Sequence, residues 1–287
     1  MKKYFKLLRV KHYIKNILVL LPIIFSKNLL NTNKLIPAIL GMLSFCLCCS
    51  AVYIFNDIRD IEKDKKHPTK RERPIASGSV SINRALIIGI CLIILSLLFV
   101  LAIYIRFNIN IYASIGYLFL YFILNIAYSF GLKNKPIIDI VILVSGFVIR
   151  VLFGGIVVQV DISSWLYLTI ISISFYLGLG KRRNELVKHN QKETRNVLKY
   201  YTKDFLDKNM YVCMTLSIVF YALWAMNTNN LMLWSIPIVM VIAMKYSLDI
   251  EMDDSEGDPV DVILKDKYII LMTLFYVIYT FVVLYLI

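Results

Sequence analysis

Three aspartates at the end of a long apolar run have the residue type and spacing of metal ligands. Asp57, Asp60 and Asp64 occupy positions i, i+3 and i+7 of the segment N-D-I-R-D-I-E-K-D. On a helix of 3.6 residues per turn, these carboxylates point within roughly 60° of one another and repel. Because Mg²⁺ takes oxygen ligands and shares them with substrate phosphates, the spacing predicts a metal–diphosphate site. A solvated acidic helix end is the alternative.

A basic cluster follows the aspartates directly. The chain continues K-D-K-K-H-P-T-K-R-E-R-P-I-A-S-G, which places Lys70 and Arg73 close to the last acid of the motif. Bases beside metal ligands suit a substrate with phosphate groups, since the metal binds some phosphate oxygens and the bases neutralise the others. A membrane-proximal basic loop is the alternative, although it leaves the aligned acids unexplained.

Other charged residues lie at the ends of apolar runs or inside them. Lys133 lies in the turn G-L-K-N-K-P, and Asp139 follows as either a supporting acid or the partner of a lysine. Arg150 lies deeper in the same run, where an arginine is either functional or paired with an acid. The segment 181–183 is K-R-R, which either binds phosphate or anchors the topology. Eight acids between residues 249 and 266 are expected mainly to balance the basic loops.

Composition places these residues in a polytopic membrane protein. The 287-residue chain is 59% hydrophobic, whereas soluble domains are usually about 45–50% apolar. The polar stretches 58–83 and 181–208 are too short to bury a core, so we expect one integral-membrane domain over residues 1–287. The five cysteines lie in apolar segments and fit no zinc spacing. The basic start resembles a signal peptide, but no cleavage site follows it and further spans do.

Apolar blocks of membrane-spanning length number nine, and Pro22 weakens the first. They cover residues 14–30, 34–57, 84–105, 110–130, 137–158, 163–180, 209–228, 231–250 and 268–287. With nine spans, 26 of the 32 lysines and arginines fall on one face, which the positive-inside rule makes cytoplasmic. We therefore expect a multi-pass protein of a bacterial-type plasma membrane, with its active site on the cytoplasmic face. The net charge of +13 follows largely from this asymmetry, and no nucleic-acid partner is expected.

The motif N-D-x-x-D-x-x-x-D in a chain with about nine spans resembles the UbiA-type intramembrane prenyltransferases, and the resemblance covers nearly the whole chain. Members of that superfamily are all-helical bundles with a cavity open to the cytosol. Their first acidic motif binds Mg²⁺ and a diphosphate. The resemblance implies an all-α polytopic membrane bundle whose metal ligands are Asn56, Asp57, Asp60 and Asp64.

The chain departs from the quinone- and haem-pathway members after its sixth predicted span. Those members carry a second acidic motif there, whereas this chain has Lys181, Arg182, Arg183 and Glu185. Fixed positive charge in that place suits a substrate with an additional phosphate. Four segments are similar to the polyprenyl-phosphate phosphoribosyltransferase branch, typified by the decaprenyl-phosphate enzymes: R-V-K-H-Y-I-K-N at 9–16, the acidic and basic stretch 56–78, Y-S-F-G-L-K at 128–133 and L-G-L-G-K-R-R-N-E-L at 177–186.

That branch implies transfer of 5-phosphoribose from phosphoribosyl diphosphate (PRPP) to a polyprenyl phosphate for cell-envelope glycan precursors. The alternative is the same fold with a prenyl diphosphate donor and an aromatic or quinone acceptor. A transporter is disfavoured because the charge lies mostly at one rim rather than at the midplane. The implied partners are PRPP, the polyprenyl phosphate and the bilayer, and a homo-oligomer is left open.

We hypothesise a role for each charged segment from the charges of PRPP and the polyprenyl phosphate. The aspartates, Lys70 and Arg73 would hold the diphosphate with Mg²⁺. Lys11 and Lys15 would meet the lipid phosphate, and the cations at 181–183 would bind the ribose 5-phosphate. The implied substrate-binding set is completed by Asn56, Tyr128, Lys133 and Glu185.

Overall fold

The computed structural model describes residues 2–188, 196–252, 262 and 265–287, and all regular structure in these ranges is helical. The α-helices are α1 (Lys2–Leu8), α2 (Leu21–Phe25), α3 (Thr32–Arg59), α4 (Ile61–Lys66), α5 (Ile82–Phe107), α6 (Ile111–Ser129), α7 (Ile138–Val158), α8 (Ser164–Lys188), α9 (Lys203–Thr228), α10 (Ile236–Glu251) and α11 (Lys267–Tyr285). Short 3₁₀ helices cover Val10–Leu20, Lys70–Glu72, Leu132–Asn134, Asn196–Tyr200 and Asn230–Ser235. The described residues contain no strand, which confirms the predicted all-α class.

Seven helical segments in the described part of the chain are long and apolar enough to cross a membrane. They are Thr32–Arg59, Ile82–Phe107, Ile111–Ser129, Ile138–Val158, Lys203–Thr228, Asn230–Glu251 and Lys267–Tyr285. The predicted span 14–30 instead divides into the 3₁₀ helix Val10–Leu20 and α2, because Pro22 begins a new helix. The predicted span 163–180 lies in α8, where serines and a charged last third dilute the apolar character. The predicted count of nine membrane spans is therefore not confirmed.

The apolar helices expose much of their surface, as expected of helices that face lipid. Only 17% of the spanning window of α6 and 28% of that of α5 is buried, against 61% for α3. Large apolar side chains such as Ile105, Phe119 and Leu271 are exposed on these helices. Soluble monomers rarely expose apolar surfaces of this extent, and together with the seven long apolar helical segments these surfaces indicate a multi-pass membrane protein.

One compact unit, Met1–Phe130 with Ile149–Asp161, is built around α3. Two reciprocal hydrogen bonds join α3 to α5: Ser44 Oγ donates to the Ser96 carbonyl at 2.9 Å, and Ser96 Oγ donates to the Ser44 carbonyl at 2.8 Å. Both serines are buried, so these bonds satisfy their hydroxyl groups inside an apolar core. The packing holds α3 as a rigid support for the acidic motif at its end.

A second compact unit, Gly131–Val148 with Ile162–Ile287, contains α8 to α11, and α8 and α9 pack along each other. Tyr176 on α8 shares a 2.6 Å hydrogen bond with Ser247 on α10. Lys245 on α10 pairs with Asp266, the residue before α11, at 2.7 Å. The single domain predicted over residues 1–287 stays a prediction beside these two units.

Candidate functional site

The acidic motif lies across a break between two helices rather than on one continuous helix. α3 ends one residue before Asp60 and α4 begins one residue after it, and Asp60 itself has φ −90° and ψ 11°. Backbone hydrogen bonds continue through the break, since Asp60 N donates to Asn56 O at 2.9 Å and Asp64 N donates to Asp60 O at 2.8 Å. The expected helical arrangement is thus kept only approximately, and Asp60 lies at the bend.

Two of the three predicted ligands, Asp57 and Asp64, converge on one side chain. Arg73 Nη1 lies 3.1 Å from Asp57 Oδ1 and 2.7 Å from Asp64 Oδ2. The two aspartates are only 3% and 4% exposed. Buried carboxylates require a partner of opposite charge, and Arg73 supplies one to both. The structure therefore places a cation at the point where the sequence predicts a metal–diphosphate site.

A second guanidinium, that of Arg9, approaches the same cluster from the start of the chain. Its Nη2 donates to Asp57 Oδ1, and its guanidinium lies 4.6 Å from the centroid of the Tyr53 ring. Arg9 has φ 51°, a left-handed backbone conformation that is uncommon for arginine. Arg9 was not among the site residues predicted from the sequence. Asp57 thus lies between two arginines that come from segments far apart in sequence.

The basic loop that carries Arg73 is anchored to the first unit. Val80 N donates to Pro74 O at 2.9 Å, and Gly78 turns the chain with φ 74°, a conformation that glycine adopts without steric cost. Ile75 and Val80 are buried in an apolar cluster that includes Leu7 of α1. Burial of these side chains fixes the loop backbone and so positions Arg73 beside the acids.

Asn56, a predicted metal ligand, is tied to the end of α6. Ser129 Oγ donates to Asn56 Oδ1 at 2.6 Å, and Ser129 is buried. This bond links the acidic motif to the end of α6. Tyr128 itself is half-buried at the end of α6. Metal ligation by Asn56 stays a prediction, and in the structure its amide oxygen accepts a hydrogen bond from serine.

The donor chemistry of the aspartate pair fits a magnesium ion. Mg²⁺ in proteins is usually bound by one or two carboxylates, with water and substrate phosphates completing its shell. Asp57 and Asp64 supply two carboxylates that approach the same point, the Arg73 nitrogen. Among the described residues, no three Asp, Glu, His or Cys side chains form a metal-binding group by themselves. The arrangement fits a metal held jointly by protein and substrate, and ligation by Asp60 stays a prediction.

Three of the lysines predicted to bind substrate do not take part in the contact between Arg73 and the two aspartates. Lys11 is exposed and Lys15 is half-buried on the 3₁₀ helix Val10–Leu20, and Lys70 is exposed at the start of the 3₁₀ helix Lys70–Glu72. Their assignment to the lipid phosphate and the diphosphate stays a prediction.

In the second unit, Arg182 is fully buried between two carboxylates. Its Nε donates to Asp139 Oδ2 at 2.6 Å, and its Nη1 donates to Glu185 Oε2 at 2.6 Å. Neither Arg182 nor Asp139 has exposed side-chain surface. Asp139, expected to be a supporting acid or the partner of a lysine, is therefore the partner of an arginine. Substrate binding by Arg182 and Glu185 stays a prediction, and the structure adds a buried ion pair.

Tyr201 completes the contacts of Asp139. Its hydroxyl donates to Asp139 Oδ1 at 2.6 Å and accepts the backbone N–H of Ile137 at 2.6 Å. Burial and the hydrogen bond to Asp139 raise the pKa of Tyr201, so its hydroxyl keeps its proton at physiological pH. No motif marked Tyr201 in the sequence.

Arg183 connects α8 to α9 and α10. Its Nε donates to Asp207 Oδ1 at 2.7 Å, its Nη1 donates to the Ile250 carbonyl at 3.3 Å, and its Nη2 lies 3.8 Å from Glu251. Arg183 is buried, whereas Lys181 is half-buried. Arg182 and Arg183 thus already have carboxylate partners within the protein, and phosphate binding by the three cations stays a prediction.

Part of the acidic segment before α11 lies outside the described residues. Within the described part, Asp249 and Asp266 both pair with Lys245. The acids outside it are Asp253, Asp254, Glu256, Asp258 and Asp261. The expectation that these acids balance basic residues is therefore supported only at the two ends of the segment, where Asp249 and Asp266 pair with Lys245.

Arg150, which the sequence leaves as functional or structural, is enclosed in the first unit. Its Nε donates to Asn16 Oδ1 at 2.7 Å, and its Nη2 lies 3.2 Å from Tyr121 Oη and 3.3 Å from Cys49 Sγ. The guanidinium also lies 5.0 Å from the centroid of the Phe45 ring. These contacts engage Nε and Nη2, and the aromatic ring stabilises the charge, which favours a structural role.

Comparison with known proteins gives a consistent result. Residues 19–259 match the UbiA prenyltransferase family. The chain is 31% identical over 284 residues to decaprenyl-phosphate phosphoribosyltransferase of Corynebacterium glutamicum, covering 95% of this chain and 83% of that protein. It is 34% identical over 239 residues to the protein of that name from Mycolicibacterium smegmatis, covering 78% of this chain and 72% of that one.

Solved structures show the same fold at low sequence identity. A UbiA homologue from Archaeoglobus fulgidus bound to GPP and Mg²⁺ has a TM-score of 0.72 and 16% identity, covering 98% of this chain and 99% of that one. A UbiA homologue from Aeropyrum pernix has a TM-score of 0.64 and 12% identity, covering 94% of this chain and 98% of that one. At such identities the likeness concerns the fold alone.

Proposed function

Because the chain belongs to the UbiA prenyltransferase family, we propose that it is a polyprenyl-phosphate phosphoribosyltransferase. It transfers the 5-phosphoribosyl group of PRPP to a polyprenyl phosphate of decaprenyl or undecaprenyl type and releases diphosphate. The product, polyprenylphosphoryl-5-phosphoribose, serves as a precursor of cell-envelope glycans. The enzyme works in a bacterial plasma membrane with its acidic motif on the cytoplasmic side, as the distribution of lysine and arginine predicts.

The observation that carries this proposal is the convergence of Asp57 and Asp64 on one cation. Two buried carboxylates within 3.1 Å of a single nitrogen form a site for positive charge. Relatives at 31% and 34% identity have the name decaprenyl-phosphate phosphoribosyltransferase, and PRPP carries a diphosphate on the carbon that reacts. A departing diphosphate is stabilised by positive charge beside it, and a site that binds cations provides this charge.

We assign the diphosphate end of the donor to the first unit. Asp57 and Asp64 would hold Mg²⁺, and the ion would supply charge neutralisation for the diphosphate. Arg73 and Arg9 place two guanidinium groups beside the same carboxylates and add fixed positive charge there. Guanidinium groups bind phosphate oxygens in a bidentate manner, which favours one orientation of the donor.

The acceptor phosphate is the nucleophile. One of its oxygens forms a bond to ribose C1 while the bond from C1 to the diphosphate oxygen breaks, and the electron pair of that bond leaves with the diphosphate. A phosphate monoester is an anion at neutral pH, so the step needs no general base. C1 gains oxocarbenium character, and the rate enhancement comes from positioning and electrostatic stabilisation. The remaining assignments, Lys11 and Lys15 to the lipid phosphate and residues 181–183 to the ribose 5-phosphate, rest on the sequence.

The second candidate is transfer from a prenyl diphosphate to an aromatic or quinone acceptor. A solved UbiA homologue bound to GPP and Mg²⁺ shares the fold of this chain, so the fold is compatible with this reading. The segment after residue 180 favours PRPP instead, because three cations stand there in place of a second acidic motif. A donor with an additional phosphate suits such a segment.

One transfer assay separates the two candidates. Purified protein is incubated with Mg²⁺, PRPP labelled in its ribose and a polyprenyl phosphate, and label extracted into organic solvent is counted. We expect label in the lipid fraction, and we expect EDTA to abolish its appearance. Parallel reactions contain labelled geranyl or farnesyl diphosphate with aromatic acceptors. Transfer in those reactions and none from PRPP across several polyprenyl lengths would overturn the proposal.

A further inference from the structure

The turn between α6 and α7, residues 131–137, holds a strained residue directly before α7. Ile137 has φ 66°, in the left-handed region that β-branched residues rarely adopt. Its side chain is 50% exposed, so burial of the side chain does not impose this conformation. Strained backbone persists only where neighbouring contacts fix it, and such residues concentrate at functional sites. A neighbouring contact must therefore fix the conformation of Ile137.

That contact is the Tyr201 hydroxyl. It accepts the Ile137 N–H at 2.6 Å and donates to Asp139 Oδ1 at 2.6 Å, so it joins both sides of the junction between the turn and α7. The other carboxylate oxygen of Asp139 is bound by Arg182 at 2.6 Å. One hydroxyl thus connects the strained backbone to a buried ion pair that cannot easily move.

Tyr201 is itself held firmly. It is buried, and its ring stacks on that of Phe205 with centroids 6.0 Å apart and an interplanar angle of 10°. The 3₁₀ helix Asn196–Tyr200 precedes it and contacts the 3₁₀ helix Leu132–Asn134 in the turn. The next residue, Thr202, caps α9 by accepting the Phe205 N–H at 3.1 Å. We call the two hydrogen bonds of the Tyr201 hydroxyl, to Ile137 and Asp139, the Tyr201 tether. Tyr201 at one end of this tether and the turn and α7 at the other are therefore attached to ordered elements.

The turn carries Lys133, a half-buried cation that the sequence places in the substrate-binding set. We propose that Tyr201 is a positioning residue for Lys133, since its hydroxyl locks residues 131–137 and thereby fixes where the lysine meets an anionic group of the substrate. This inference rests on the proposed function for the identity of that anion, which is a phosphate of PRPP or of the polyprenyl phosphate. The tether itself is tested without any substrate.

Kinetics of Tyr201→Phe test the effect on the substrate. The substitution removes the hydroxyl and keeps the stacked ring. We expect the KM of the substrate that Lys133 contacts, identified from Lys133→Ala, to rise about tenfold while kcat changes much less. In a Lys133→Ala background the same substitution should add no further rise. An equal rise in both backgrounds would show that Tyr201 does not act through Lys133 and would overturn the inference.

Two further variants make this test specific. Glycine adopts positive φ without steric cost, so Ile137→Gly in the Tyr201→Phe background should restore much of the lost affinity. A merely structural role of Tyr201 would show no such rescue. The matched control is Tyr200→Phe, because Tyr200 is the adjacent tyrosine and is 66% exposed. Its KM values should equal those of the wild type.

Limited trypsin digestion tests, without any activity measurement, whether the Tyr201 tether holds the turn in place. Pro136 protects the bond after Lys135, so cleavage after Lys133 reports on the turn. We expect this cleavage to be about fivefold faster or more in Tyr201→Phe and unchanged in Tyr200→Phe. Unchanged cleavage in Tyr201→Phe would overturn the inference. If the wild type transfers no label but Tyr201→Phe is cleaved faster, the proposed function fails and the tether stands.

Hydrogen exchange of the wild type covers the case in which Tyr201→Phe does not fold. The Ile137 amide should exchange slowly because its N–H is bound to a buried hydroxyl. Exchange of this amide at the rate of an open peptide would overturn the inference.

Discussion

Asp57 and Asp64 lie on opposite sides of a helix break and still approach the same nitrogen atom, Nη1 of Arg73, at 3.1 and 2.7 Å. The bend at Asp60 preserves backbone hydrogen bonding, so the two carboxylates meet at little cost in local structure. Their burial makes a neighbouring positive charge obligatory. Arg73 supplies such a charge in the structure, and a metal ion would add to it; this arrangement leads to the first two predictions.

Loss of either carboxylate should stop the reaction without unfolding the protein. We expect Asp57→Asn and Asp64→Asn to lower kcat for phosphoribosyl transfer by about 100-fold or more, because each removes charge from the metal–diphosphate site. Asp204→Asn is the matched control, since Asp204 is 72% exposed on α9. Label transfer and the melting temperature in detergent are measured together. Full activity in either variant, with normal melting, would contradict the metal assignment.

Removal of Arg73 should make the protein depend on Mg²⁺ for stability. In Arg73→Ala, Asp57 and Asp64 lose the cation that they share, so the melting temperature should fall by several degrees. Mg²⁺ should then raise the melting temperature of the variant more than that of the wild type. Arg71→Ala is the control, because Arg71 is an exposed arginine in the same loop. An equal response of wild type and Arg73→Ala to Mg²⁺ would argue against a metal at this pair.

The acidic motif could be predicted from sequence because its information is local. The spacing of Asp57, Asp60 and Asp64 and the long apolar run before them are visible within a few turns of helix. The all-α class and most spans follow from apolar blocks of sufficient length. The break at Asp60 was not predicted, since the periodicity of the acids is the same on a straight helix and on a bent one.

Arg9 and Tyr201, two further partners of the acids, could not be predicted because they are distant in sequence from the acids that they contact. Arg9 reaches Asp57 across 48 residues, and Tyr201 reaches Asp139 across 62 residues. Neither residue belongs to a spacing pattern, and only the folded chain brings each pair together. Arg9 lies in the segment 9–16 that supports the family resemblance, which was the one available signal. For Tyr201 no signal was present.

Neutralising Asp139 should destabilise the second unit strongly. Asp139→Asn leaves the Arg182 guanidinium buried with one carboxylate fewer, and breaking a buried pair in this way costs about 3–5 kcal/mol. The free energy of unfolding is compared with that of Lys208→Gln. Lys208 forms an exposed pair with Asp204, so its loss should cost less than about 1 kcal/mol. Similar stability of the two variants would show that the Asp139–Arg182 pair contributes little.

Substitution by alanine should destabilise the protein at Gly154 but not at Gly116. A Cβ on Gly154 would lie 2.1 Å from the Val19 carbonyl oxygen, a backbone atom that cannot rotate away. Gly154→Ala must therefore push α7 from the 3₁₀ helix Val10–Leu20, and such overpacking costs about 1–3 kcal/mol or more. A Cβ on Gly116 in α6 would meet nothing within 4 Å, so Gly116→Ala should be neutral or slightly stabilising.

Thermal melting of the two glycine variants in detergent makes this comparison directly. The Val10–Leu20 helix carries Lys11 and Lys15 and follows Arg9, so a displaced helix should also reduce transfer in Gly154→Ala. Gly116→Ala should retain wild-type transfer. If both variants melt like the wild type, the close approach of α7 to Val19 does not contribute to stability, and the 3₁₀ helix is held by its other contacts, such as the hydrogen bond that Arg150 donates to Asn16.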